Sequence, residues 1–249
     1  MFKCDANVSI KNKLLSNFID IINKKVLEKQ DLITMLNAEG VDKVLLFKKS
    51  REITNNTIGN KVHLRGLIEY SNVCIKDCLY CGIRKSNKKQ DRYTILDKEV
   101  LECAIYALEH KYASIVIQAG ERTDNAFTSK ITSLLKEIDK ISKGKLGITL
   151  SLGEQSIDTY KAWFDAGAHR YLLRIESSTK QLYNAIHPNN ELHNFENRMA
   201  SLHNIRKAGF QLGTGVMIGL PQQSIENLAD DLLFLQALDV DMVGMGPYI

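Results

Sequence analysis

Three cysteines, Cys74, Cys78 and Cys81, stand in the segment SNVCIKDCLYCGIR (71–84) with the spacing C-x3-C-x2-C. Thiolates are ligands for soft metals and for iron–sulfur clusters. Three of them on one short loop can converge on one face of an iron–sulfur cube. Such a cube has four iron corners, so three protein ligands leave one iron open to a chelating substrate or cofactor. An electron-transfer cluster normally takes four cysteines, and neither Cys4 nor Cys103 has a suitable spacing. A structural zinc site also wants four ligands, often as two separated CxxC pairs. His63 could complete a Cys3His set, but it opens the preceding apolar run and would lie at the opposite end of that strand. The odd cysteine count and the clustering argue against a disulfide framework. Cys103 falls inside an amphipathic helical pattern and is read as a packing cysteine. Cys4 carries no assigned role.

These residues need elements that hold them in place. From residue 63 short apolar runs alternate with amphipathic segments. The runs lie at 63–72, 113–120, 146–153, 170–177, 211–220 and 240–249, and each suits a parallel strand buried on both faces. Between them, Asp97 to Lys111 places Val100, Leu101, Ala104, Ile105 and Leu108 on one helical face. Ser224 to Leu238 does so with Ile225, Leu228, Leu232 and Leu235, with Ser224 as N-cap. Strands alternating with helices predict an α/β fold with right-handed crossovers. Cys74, Glu121, Ser151, Glu154, Glu176, Met217 and Met242 all sit at or near the C-terminal ends of the runs. Function gathered there predicts a TIM-type (β/α) barrel, with a doubly wound sheet as the alternative. Residues 1–62 read as a polar N-terminal helical segment, with helical spacing over Ile10 to Leu27 and Asp31 to Leu36. Residues 63–249 read as the barrel.

Composition fits this. The 249 residues are 44% hydrophobic and 25% charged, with a net charge of +4, which are ordinary globular values. The charge is too small to argue for nucleic acid as a partner. No apolar run approaches the roughly 18 residues of a membrane span. The start MFKCDANVSIKNKLL shows no secretory leader, so a cytoplasmic protein is expected.

The cysteine motif, with the aromatic Tyr80 just before its third cysteine, resembles the radical S-adenosylmethionine (SAM) superfamily. The segments RGLIEYSNVCIKDCLYCGIR, IQAGE, TLSLGE, RYLLRIES, FENRM, MIGLPQQ and DMVGMGPYI, in that order, narrow the resemblance. They look like the FeFe-hydrogenase maturation radical SAM proteins of the HydE type, within the biotin synthase-like group. The likeness runs from about residue 55 to the last residue. It implies a 4Fe–4S cluster on Cys74, Cys78 and Cys81, whose open iron chelates SAM. It further implies reductive cleavage of SAM to methionine and a 5′-deoxyadenosyl radical, in hydrogenase H-cluster maturation. Methylornithine synthase-like or biotin synthase-like chemistry on a small amino acid is the enzymatic alternative. A cluster-binding fragment without turnover is the non-enzymatic one.

The resemblance also implies roles by position. Tyr80 lies near the adenine, Gly120 and Glu121 near the methionyl amino group, Glu176 at the ribose hydroxyls and Arg198 at the SAM carboxylate. Thr149, Ser151 and Arg174 face the substrate cavity, with Met217 and Met242 on its wall. Structural alternatives stay open: strand-end hydroxyls for Thr149 and Ser151, core packing for the two methionines, and an ion pair of Arg174 with Glu154 or Glu176. The implied partners are a small-molecule or small iron-complex substrate, a reduced electron-donor protein and other hydrogenase maturases, without nucleic acid or membrane. The lysine-rich stretch Lys85 to Lys89 reads as a solvated loop, with a docking surface for an acidic donor as the minority reading.

Related sequences carry two further strands, so the chain reads as six of eight barrel strands, a truncated barrel. An open barrel leaves its first and last strands with unpaired backbone groups, from which poor solubility or oligomerisation and weak SAM cleavage are expected.

Overall fold

Apolar β-rich runs placed six strands in the sequence, and six strands form one parallel sheet in the structure, a computed structural model that describes residues 17–249. They are β1 (Arg65–Ser71), β2 (Ser114–Ala119), β3 (Gly147–Ser151), β4 (Arg170–Leu172), β5 (Gln211–Thr214) and β7 (Met242–Val243). The order is β1-β2-β3-β4-β5-β7, so each strand lies beside its predecessor. A doubly wound sheet reverses its order at a switch point; this one does not, and the order is that of a (β/α) barrel. The sheet curls. Arg65 on β1 donates from Nη1 to Met242 Sδ on β7 at 3.5 Å. A flat sheet would hold these two outer strands about 24 Å apart, at about 4.8 Å per step. Among the described residues the ladder does not close, and Leu67 on β1 and Val243 on β7 stay exposed.

Two of the runs are broken. The run at 211–220 forms β5 and then a separate β6 (Met217–Ile218). The run at 240–249 forms β7 and then β8 (Gly246–Pro247), which pairs with β6. The reason is a close approach of backbones: a Cβ on Gly215 would lie 1.7 Å from Gly244 O. Only glycine permits that crossing.

The chain divides into two units. The larger, His63–Gln223 with Phe234–Ile249, holds the sheet and the helices α3 (Asp97–Glu109), α4 (Asn125–Ser142), α5 (Ile157–Asp165), α6 (Lys180–Ala185) and α7 (Phe195–Lys207). Side-chain caps start three of them: Asp124 accepts from Phe127 N, Ser156 from Thr159 N and Asn194 from Asn197 N. Each satisfies an N–H that the first turn leaves open. The core packs Ile115, Ile117, Ile148, Leu150, Tyr171 and Leu212 of the strands against Ile131, Leu135, Trp163 and Ile205 of the helices. On α3 the buried face is Val100, Ala104 and Ala107, while Ile105 is exposed, so the helix is rotated from the predicted face. The same rotation exposes Cys103. It is not a packing cysteine, because it shares a surface groove with Tyr106 and Tyr112.

The smaller unit takes the described residues up to Val62 and adds Ser224–Leu233. It contains α1 (Lys29–Leu36), α2 (Gly40–Thr57) and the start of α8 (Ile225–Ala237). Asp31 organises α1, accepting from Glu28 N at 3.0 Å and from Lys24 Nζ at 2.7 Å. The expected helix over Ile10 to Leu27 lies outside the described residues up to 16, as does Cys4; its described part is helical over 17–22 only. Helix α2 was not singled out in the sequence, and none of its residues is fully buried. Ser224 caps α8 as expected, accepting from Asn227 N at 3.3 Å.

Candidate cluster and cofactor site

Parallel strands put all their C-terminal ends at one rim, and the loops leaving that rim carry the residues singled out above. The cysteine loop leaves β1 at Ser71 and is tied to the end of β2. Gly120 N donates to Ser71 O at 2.9 Å, and Ile75 N to Glu121 O at 2.9 Å. A Cβ on Gly120 would lie 2.4 Å from Val73 O and 2.7 Å from Cys74 Cβ, so glycine is what lets β2 pass under the loop. Cys74 Sγ accepts from Lys76 N at 3.4 Å and Glu121 N at 3.3 Å. Two N–H groups aimed at one sulfur favour its thiolate. Burial pushes the Cys74 thiol up and the Cys78 thiol to about 11; a bound metal deprotonates such thiols outright. No three His, Cys, Asp or Glu side chains among the described residues gather around a single-ion point. A cube binds ligands at separate corners, which the loop's C-x3-C-x2-C spacing suits.

The middle of the loop is anchored by a residue that the sequence reading passed over. Lys76 is 4% exposed. Its ammonium lies 3.2 Å from Glu121 Oε1 and 3.2 Å from Glu154 Oε1 and donates to Leu192 O. Glu154 in turn accepts from Arg198 Nε at 2.5 Å, and Arg198 Nη1 donates to Arg174 O at 2.8 Å. Two cations and two carboxylates thus form a buried network with no net charge. Glu121 Oε2 also accepts from Glu154 N at 2.9 Å. Burial pushes Glu121 up, and the Lys76 ammonium pulls it back. Burial works against the Arg198 charge, but Glu154 holds the guanidinium above its ordinary range. Gly153, at φ +78°, makes room: its Cβ would lie 2.3 Å from Glu121 Cγ.

Glu176 has a φ of +66°, the left-handed region that a non-glycine residue rarely adopts. Glu176 N donates to Gly215 O at 3.0 Å and Met217 N to Glu176 O at 2.9 Å. The broken strand β5–β6 therefore holds Glu176 in that conformation. Its Oε2 faces Arg174 Nη2 at 3.2 Å but makes no hydrogen bond. Of the two carboxylates considered for Arg174, the structure pairs it with Glu176. Burial raises Glu176, with Arg174 and Arg198 opposing. Thr149 Oγ1 and Arg174 Nε are also buried without a hydrogen bond among the described residues. Buried polar atoms rarely stay unmatched, and functional sites are where they do.

Tyr80 packs with Met217, Ile186 and Leu220 in a small apolar cluster beside the main core. Its ring meets His187 edge-on, and its hydroxyl lies 3.3 Å from His187 Nε2. His187 Nδ1 donates to Tyr183 O at 2.7 Å, which leaves Nε2 to accept from Tyr80. Burial lowers His187 to about 4, so the ring is neutral at pH 7. His193 accepts from Asp77 N through Nε2 at 2.8 Å and pins the loop between Cys74 and Cys78.

The structure thus brings Cys74, Cys78, Cys81, Tyr80, Gly120, Glu121, Arg174 and Glu176 to the loops at one rim, with Arg198 beside them on the first turn of α7. Thr149 and Ser151 lie on β3, with Thr149 buried. Met217 packs against Tyr80, whereas Met242 sits on the last strand of the sheet beside Arg65. Lys76, His187 and His193 were missed as site residues, and Glu154, noted at the end of its run, was given no part in the site. The only local signal was a lysine placed between cluster cysteines.

A family profile described as the radical SAM superfamily matches residues 68–235. Over 214 residues, 86% of this chain, the sequence is 42% identical to the [FeFe] hydrogenase maturase subunit HydE of Thermotoga maritima. It is 26% identical to the biotin synthase of Bacillus mycoides over 228 residues, 90% of the chain. The chain spans 59% of the length of the first relative and 67% of the second. The crystal structure of methylornithine synthase (PylB) superposes with a TM-score of 0.82 at 22% identity, over 93% of this chain and 67% of that one, which shows the fold. A profile that runs from within β1 through the cysteine loop and strands β2 to β6 places this chain in the radical SAM superfamily.

Proposed function

We propose that this chain is the SAM-binding part of a radical SAM enzyme that acts in FeFe-hydrogenase H-cluster maturation, with residues 63–249 as the (β/α) barrel and residues 1–62 as an N-terminal helical segment. The observation that carries the reading is the three-cysteine loop, tied by backbone hydrogen bonds to a parallel-sheet rim that also presents Glu176 and Arg198. The 42% identity to the Thermotoga maturase, against 26% to biotin synthase, favours the maturation role.

Radical SAM proteins bind a 4Fe–4S cluster and SAM, and the residues present fit both groups. When bound, the cluster supplies the electron that splits the sulfonium C–S bond of SAM into methionine and a 5′-deoxyadenosyl radical. Cys74, Cys78 and Cys81 would hold the cluster. Tyr80, fixed by His187, presents an aromatic surface to the adenine. The Glu176 carboxylate, with one unbonded oxygen, takes the ribose hydroxyls. Arg198 would take the SAM carboxylate, its guanidinium plane set by Glu154 and the Arg174 carbonyl. A bidentate contact of this kind suits guanidinium over ammonium. Gly120 and Glu121 bound the end that receives the amino group. Thr149, Ser151 and Arg174 line the substrate side, with Met217 and Met242 as apolar, polarizable wall residues. The substrate is a small molecule or small iron complex, and other maturases and a reduced donor protein are the partners in a cytoplasmic setting. No helix among the described residues is long and apolar enough to cross a membrane.

The test is anaerobic cluster reconstitution with electron paramagnetic resonance. An axial cluster signal that shifts on adding SAM, with methionine and 5′-deoxyadenosine as products, is expected. One zinc and no iron in protein purified anaerobically would overturn the reading.

A further inference from the structure

The segment that follows the cysteines, residues 82–92, holds Arg84, Lys85, Lys88, Lys89 and Arg92 against one acid, Asp91. Five basic residues less one acidic give +4, which is the net charge of the whole chain. The other residues therefore sum to zero, and the chain's entire excess charge sits in one loop.

That loop is firmly ordered. Arg92 donates to four carbonyls: Asn72 O at 2.6 Å, Ile83 O at 2.7 Å, Arg84 O at 2.7 Å and Asn87 O at 3.1 Å. Asp77 Oδ1 accepts from Ser86 N at 2.7 Å, and Lys85 N donates to Lys76 O at 2.8 Å. The lysines are thereby folded back beside the cysteine loop. Lys85, Lys88 and Lys89 are exposed, and none of the five cations makes an ion pair among the described residues. Leu79, between Cys78 and Cys81, is 58% exposed. An apolar residue beside a charged rim is the anatomy of a protein–protein contact.

We infer that residues 79–89 are the docking surface for an acidic one-electron carrier protein. The inference rests on the cluster reading above. In the step it serves, the carrier loses one electron and the cluster gains one; no bond is made or broken. Unpaired lysines on the segment that follows Cys81 steer a negatively charged carrier toward the loop that holds Cys78 and Cys81. A nucleic acid fits less well: its backbone needs a longer stripe of cations than one loop, and the rest of the chain adds no net charge.

The test compares the full, cluster-loaded chain with the variant Lys85→Glu/Lys88→Glu/Lys89→Glu, using a reduced acidic [2Fe–2S] ferredoxin as donor and titanium(III) citrate as small-molecule control. Stopped-flow bleaching of the cluster gives the rate, and calorimetric titration of the protein as isolated with oxidised ferredoxin gives the affinity. The expected result is a ferredoxin rate lower by roughly 10- to 1,000-fold in the variant. A similar loss is expected in the parent when salt rises from about 0.01 M to about 1 M. Affinity should fall in step, with no change in the titanium rate. Equal ferredoxin rates and affinities for parent and variant overturn the inference. So does a single-stranded RNA or an anionic vesicle that binds the parent through these lysines and is not displaced by ferredoxin. A parent that titanium(III) cannot reduce overturns the cluster reading itself, and the titration still decides the surface.

Discussion

Replacing Lys76 by methionine keeps the unbranched stem of the side chain and removes the charged tip. In the folded protein the ammonium touches the buried Glu121 and the partly buried Glu154 at 3.2 Å each and one backbone carbonyl. Glu154 keeps its partner in Arg198, but Glu121 loses its cation and keeps only the Glu154 N–H. Removing one member of a buried ion pair costs about 3–5 kcal/mol, because the other charge is left without compensation. Against a total stability of about 5–15 kcal/mol, that loss is large. Part of it is avoided if Glu121 takes up a proton, which burial already favours. Lys76→Met should therefore cost more at pH 7.5 than at pH 5, and Lys76→Met/Glu121→Gln should recover at least about 2 kcal/mol of the loss. Urea unfolding of the cluster-free protein, followed by the fluorescence of the only tryptophan, Trp163, reads this directly, since that ring is fully buried beside Tyr171. Lys76→Met should also lower iron loading, because the loop loses its central anchor. A loss under about 1 kcal/mol, or no rescue by Glu121→Gln, would refute the network as the anchor of the cysteine loop.

Three other outcomes follow from the same geometry. His187 stays neutral when folded to about pH 4 and takes a proton near 6.5 when unfolded; between those values the unfolded state binds more protons, so stability falls as pH drops from 6.5 to 4, by up to about 3 kcal/mol. His187→Gln should flatten that part of the urea-midpoint profile, and an unchanged slope would count against the buried ring. Gly153→Ala places a Cβ 2.3 Å from Glu121 Cγ at φ +78° and should cost about 2–4 kcal/mol in thermal or urea unfolding. Glu176→Gly should relax the left-handed backbone and raise the stability of the SAM-free protein by up to about 1 kcal/mol, while calorimetry shows SAM binding weakened about 10- to 100-fold; equal SAM affinity would remove Glu176 from the cofactor site.

The three-cysteine loop and the sheet were legible without coordinates because both are local. Three thiols spaced for one loop need only that loop to converge. A strand buried on both faces must be apolar along its length, so the inner strands β2 to β5 appeared as runs; β1 buries one face only, with Arg65, Leu67 and Glu69 exposed, yet its apolar residues still marked it. The rim followed from parallel strands sharing one C-terminal end. The conditions that make these residues a site are contacts between residues far apart in the chain, which no periodicity records. Lys76 looks like one more surface lysine until Glu121 and Glu154, 45 and 78 positions away, enclose it. Arg198 looks free for a ligand until Glu154 fixes its plane. Cys103 turned outward because packing chose Ala104 and Ala107 as the face of α3, a rotation smaller than hydrophobic spacing resolves. The breaks in the runs at 211–220 and 240–249 arise where two glycine backbones meet, and that meeting holds Glu176 in its left-handed conformation. Residue type and spacing decide what chemistry is available; buried charge must be paired and backbones must pass each other, and only the tertiary structure decides which partners do so.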